Sequence, residues 1–200
     1  AGDILKAAKV LDLPMVGVGI RWRQGSTRQV IFENGWPMDC FPEYRYDFLK
    51  DTGVTVSVTV REQPIKLKIW LCDCFGNVPL FLLDANLPEN ADRLITGQLY
   101  GWFNEERIAQ EIILGVGGVR ALRALGIQPD IYHFNDSHPL FASFERIREE
   151  MEQGLSFEEA RARVRRTIVF TTHTPVAAGN EVHEHRLLAY MGAYNGLTYE

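Results

Sequence analysis

The chain has 200 residues, 46% of them apolar, which suffices for a buried core and excludes disorder as the main state. With 21 basic against 26 acidic residues it carries a formal charge of −5, which excludes general attraction to nucleic acid or anionic lipid as its function. No apolar run reaches the roughly 18 residues of a membrane span and no basic stretch leads an apolar signal core, so a soluble cytoplasmic protein with no nucleic-acid or membrane partner is expected.

Ile4 to Leu11 carries apolar residues at helical spacing, and Pro14 closes that helix before the strand-like run Val16-Gly17-Val18-Gly19-Ile20. Gln24-Gly25-Ser26-Thr27 predicts a hairpin between Gly19–Arg23 and Gln29–Phe32, with a second tight turn at Asn34-Gly35. Val54 to Val60 alternates valine with hydroxyl residues, the pattern of a half-buried strand. Ile65–Cys74 and Val78–Asp84 continue it around a turn at Gly76-Asn77, so residues 15–84 read as a β-rich meander of about five strands. Three cysteines, Cys40, Cys72 and Cys74, cannot all pair and are expected to be reduced structural thiols.

After the polar connector Leu87 to Arg93, Glu105–Leu125 reads as one long helix on the spacing of Ile108, Ile112, Val116, Val119 and Leu122. Gly115, Gly117 and Gly118 inside it each cost about 1 kcal/mol against Ala, which predicts close approach to a neighbouring element. They do not form a nucleotide loop, because they lie within a helix and Arg120 stands where the third glycine would be. Ile131–Phe134 is a short strand, and a helix from Pro139 to about Gln153 follows. The next helix is capped by Ser156 and Glu159, with Glu159 and Arg163 as an i,i+4 pair. Thr167–Thr171 is a last strand, so this stretch predicts a parallel βαβ unit in an α/β fold.

Ligands of open α/β sheets bind beyond the carboxyl ends of the strands, where Asn135-Asp136-Ser137-His138 and the stretch from Thr171 to Asn180 fall. All five histidines, at 133, 138, 173, 183 and 185, lie in this last third. A nucleophilic Ser137 is rejected, since its neighbours point apart and no nucleophile-elbow glycines flank it. A zinc set of Asp136, His138, His173, His183 and His185 has suitable donors but matches no standard spacing. Recognition of sugar hydroxyls by Asn, Asp, His and Thr side chains is the third option.

Five segments in order carry a resemblance: Leu87-Pro88-Glu89-Asn90, Ile95 to Gly101, Arg107-Ile108-Ala109-Gln110-Glu111, Phe134 to Pro139, and Thr172 to Val176. With the opening Ala1-Gly2-Asp3 and the Val16 to Gly19 run, they resemble the α-glucan phosphorylases of glycogen, starch and maltodextrin. The resemblance implies a retaining glycosyltransferase of the GT-B fold that cleaves α-1,4-glucan with phosphate to give glucose 1-phosphate. It further implies that the chain is part of an N-terminal Rossmann-like domain, with 1–86 the helix and β-rich block and 87–200 the α/β portion. His173 would hold the glucosyl unit as the catalytic residue, Asp136 and His138 would line the adjoining pocket, Asn135 and Thr174 would support them, and Tyr100 to Glu106 would form a gate.

The family's cofactor is pyridoxal phosphate, and its attachment lysine is not expected here. The five lysines, Lys6, Lys9, Lys50, Lys66 and Lys68, all precede the candidate crevice. A separate C-terminal domain is the expected partner, a homo-oligomer is compatible with the sequence, and the isolated chain is expected to be inactive. Against close relatives, Gly101-Trp102-Phe103-Asn104 replaces more polar gate residues, Ala177 a proline and Glu181 an aspartate. The competing readings are a non-catalytic glucan-binding module, a synthase-like transferase and a metal-dependent hydrolase.

Overall fold

The computed structural model describes residues 2–101, 103–176 and 180–198; Ala1, Trp102 and Ala177 lie outside the described residues. Helix α1 (Gly2–Val10) leads into β1 (Gly17–Ile20), followed by β2 (Arg28–Ile31), β3 (Pro37–Cys40), β4 (Lys50–Val60), β5 (Gln63–Cys72) and β6 (Leu80–Asp84). A four-stranded sheet runs in the order β1-β6-β5-β4, with β1 parallel to β6 and the other pairs antiparallel. In β4 the valines turn inward, Val58 and Val60 being buried while Thr55, Ser57 and Thr59 face solvent.

The predicted hairpin between Gly19–Arg23 and Gln29–Phe32 is not formed. β1 instead pairs with β6, its Ile20 opposite Leu83, and β2 pairs with β3 around Asn34-Gly35. Ile20 and Leu83 belong to one buried cluster, whereas every residue of β2 is exposed. Burial therefore outranks the short connection, and the turn at Gly35, with φ +81°, closes the other hairpin. The three cysteines are free; Cys72 ends β5 in the core, while Cys74 falls beyond the strand and is exposed.

The long helix is present in three parts: α2 (Asn104–Ile112), a π-helical turn (Ile113–Gly117) and α3 (Gly118–Ala124). Its glycines permit the predicted close approach. A Cβ on Gly115 would lie 2.5 Å from the backbone nitrogen of Ala142, and one on Gly117 would lie 2.7 Å from Leu67 on the sheet. The helix thus packs against the sheet on one side and the following helix on the other, and its Ile108, Ile112, Ile113 and Val116 share one core with Val58, Leu67, Ile69 and Leu83.

Strand β7 (Tyr132–Asn135), α4 (Phe141–Glu152), α5 (Phe157–Arg165) and β8 (Ile168–Thr171) form the expected βαβ unit, and β7 and β8 are parallel with Asn135 opposite Thr171. The α/β reading therefore holds. Ser156 and Glu159 form the predicted capping box, but Arg163 acts on Glu159 only through its charge; its close ion pair is with Glu150 on α4 at 2.9 Å. The Glu159 carboxylate accepts bonds from the N–H and hydroxyl of Ser156, leaving the more buried Glu150 as the stronger partner for Arg163. Helix α6 (His185–Met191) is the last helix of the described residues. Among the described residues no helix is long and apolar enough to cross a membrane.

Candidate functional site

Parallel pairing of β7 with β8 brings their carboxyl ends side by side, and the two polar clusters that follow meet there. Asp136 leaves β7 with φ +60°, a left-handed conformation that Asp adopts more readily than most residues. This turn aims its carboxylate at the β8 side, where Oδ1 accepts the backbone N–H of His173 at 3.2 Å and Oδ2 accepts the Thr174 hydroxyl at 2.8 Å. Those bonds, led by the one from Thr174, hold the Asp136 carboxyl below its ordinary range, so it is a charged acceptor at neutral pH.

The His173 ring has Nε2 at 3.0 Å from Oδ1 of Asn135 and 3.5 Å from Oδ2 of Asp136. Both neighbours are acceptors, which places the ring proton on Nε2. With 54% of its side chain exposed, His173 remains open to a ligand. His138, on the same loop as Asp136, has Nδ1 at 3.4 Å from Oε1 of Glu111 and its ring 6.0 Å from that of Tyr100. Tyr100 has φ +65°, and Gln110 holds the turn before it by donating to the carbonyls of Ile95 and Gln98.

Asn135, Asp136, His173 and Thr174 thus form one directly bonded group, and His138 with Tyr100 forms a second. The five-residue zinc set is split: His183 faces Glu111 and Glu181, and His185 bonds the Tyr194 hydroxyl at 2.9 Å. His133 bonds Thr171 across the two strands at 2.7 Å, a structural contact. Sequence reading missed Glu111 and Arg107 as site residues. Their signal is a buried polar pair, Gln110-Glu111, inside the apolar stripe of α2, with Arg107 one turn earlier.

None of the five lysines belongs to this group. Lys50, Lys66 and Lys68 pair with Asp73, Glu89 and Asp51 on the sheet, and Lys6 and Lys9 lie on α1. The chain's own residues therefore do not fit a Schiff-base cofactor such as pyridoxal phosphate.

No protein-family model matches the sequence. The chain is 42% identical over 190 residues to the maltodextrin phosphorylase of Thermococcus litoralis, a match covering 90% of this chain and 23% of that protein. It is 40% identical over 196 residues to the glycogen phosphorylase of Mycobacterium tuberculosis, with the same two coverages of 90% and 23%. The sequence matches a segment of the maltodextrin and glycogen phosphorylases. This phosphorylase-like chain spans about a quarter of the length of those relatives. Among solved structures, the catalytic domain of starch synthase IV from Arabidopsis thaliana bound to ADP and acarbose is similar at 18% identity and a TM-score of 0.42, covering 66% of this chain and 24% of that one.

Proposed function

We propose that this chain supplies the sugar-binding half of an α-glucan phosphorylase site of the GT-B type, in a protein that transfers a terminal α-1,4-linked glucose to phosphate with retention. The observation that carries this reading is the bonding of Asp136 to both the backbone of His173 and the hydroxyl of Thr174. It locks two strand-end loops into one wall, the rigid polar surface that hydroxyl recognition requires. The names of the phosphorylase relatives supply the substrate class.

In this reading His173 holds the glucosyl unit, and its ring is oriented by Asn135 while its backbone is pinned by Asp136. Asp136 spends both oxygens on those bonds, so it positions groups and does not act as a proton donor. His138 and Tyr100 line the adjoining space, with Tyr100 in a segment that shields the sugar from water and favours phosphate as the acceptor. The acid chemistry, the phosphate clamp and pyridoxal phosphate come from a second domain. The chain alone therefore turns nothing over.

The test measures phosphate release from glucose 1-phosphate and a maltodextrin primer by the full-length parent. His173→Ala in that parent lowers kcat/KM by about 100-fold or more. A cofactor-loaded parent that is inactive in this assay, or one that His173→Ala leaves unaffected, refutes the reading.

A further inference from the structure

Apart from the Asp136–His173 group, the described residues hold one set of side chains with the donors and spacing of a metal centre: Glu111 on α2, with Glu181 and His183 in the segment ahead of α6. One ligand atom from each lies within 4.8 Å of the other two. Nε2 of His183 is 3.5 Å from Oε2 of Glu111 and 3.3 Å from Oε2 of Glu181. Nitrogen and oxygen ligands held tetrahedrally by zinc at about 2.0–2.1 Å sit about 3.3–3.4 Å apart, so both edges already have the length a shared ion would set.

Glu111 is buried and its two neighbours are partly buried, with side-chain exposures of 12% for His183, 13% for Glu181 and 11% for Glu111. Both ring nitrogens of His183 are shut off from solvent, and neither has a hydrogen-bond partner among the described residues. Two carboxylate oxygens stand within 3.5 Å of Nε2, yet neither is in line to accept its hydrogen. Buried ring nitrogens without a hydrogen-bond partner call for one, and an ion shared with the two carboxylates would supply it.

Each carboxylate also turns its other oxygen outward. Oε1 of Glu111 faces Nδ1 of His138 at 3.4 Å, and Oε1 of Glu181 contacts the Arg107 guanidinium. Arg107 is shared, since it also donates to the Tyr100 carbonyl at 3.3 Å and lies 5.0 Å from the centre of that ring. One guanidinium stands against two carboxylates here, and a bound cation can balance the second.

We propose that Glu111, Glu181 and His183 bind a divalent transition-metal ion of the zinc type, with a fourth coordination position open to water. An imidazole among the donors favours zinc over magnesium or calcium, which take oxygen ligands. The ion ties α2 to the segment leading into α6 and, through Glu111, steadies the His138 ring. The site is independent of the phosphorylase reading and stands or falls without it.

The test takes the 200-residue chain, strips it with chelator and titrates it with Zn2+ alone, by calorimetry and by competition with a chromophoric chelator. One equivalent binds. His183→Ala and Glu181→Gln each weaken binding about 100-fold or more, while His185→Ala, whose ring bonds Tyr194, leaves it unchanged. Proton–nitrogen correlation spectra of the native chain show Zn2+ shifting Nε2 of His183, a readout that needs no variant to fold. Absence of stoichiometric binding by the native chain overturns the proposal, as does binding that survives both ligand substitutions. Binding that follows His173→Ala instead overturns it as well.

Discussion

Among the described residues, Glu145 on α4 is the most deeply buried charge, with a side-chain exposure of 1%. Burial by itself would raise its pKa, but hydrogen bonds from Arg148, Arg120 and Asn195 outweigh burial and bring the carboxyl from 4.5 down to about 2. A carboxyl depressed by that much on folding contributes about 3 kcal/mol at neutral pH, at roughly 1.4 kcal/mol per pK unit. Because the folded pKa lies below the unfolded one, this contribution is fully present above about pH 5 and is lost as the pH falls toward 2. The perturbation is Glu145→Gln, with urea unfolding of both proteins followed at intervals from pH 7 to pH 2. The native chain should lose about 3 kcal/mol more than the variant across the acid window. Subtracting the two curves removes the carboxylates they share. Parallel curves between pH 5 and pH 2 would show that Glu145 is not held by its arginines as the geometry requires.

Gly115→Ala places a methyl 2.5 Å from the backbone of Ala142 and should destabilise the chain by about 1–3 kcal/mol in urea unfolding, whereas Gly2→Ala, with open space around it, should change little. Ser156→Ala removes the cap of α5 and should cost about 1 kcal/mol, read as a lowered urea midpoint with an unchanged slope. On the proposed phosphorylase function, Asp136→Asn in the full-length enzyme leaves one acceptor oxygen for two donors and should lower kcat/KM by about 10-fold or more with the fold intact by circular dichroism.

Local signals carried much of the fold. The alternation in β4, the periodicity of the long helix and the capping box before α5 each depend on neighbours along the chain, and each is present in the structure. The pairing of β1 with β6 was not legible, because the nearer partner offered a turn signal while the true one is far along the chain and is selected only by shared burial. The polar residues at the ends of β7 and β8 could be read as candidates from their position after apolar strands. Which atom meets which could not. The fate of Arg163 shows the same limit: i,i+4 spacing made Glu159 its natural partner, and packing of α5 on α4 supplied Glu150 instead.

The amino-acid order alone determined most of the longer helices and strands, the βαβ unit and the likeness to phosphorylases, since all three rest on periodicity and contiguous motifs. Tertiary structure alone decided that Asp136 clasps the backbone of His173 and that Glu111 stands between His138 and His183. Those contacts join residues on different elements, and their distances follow from how the helices and strands pack on a common core. No local pattern in the chain encodes them.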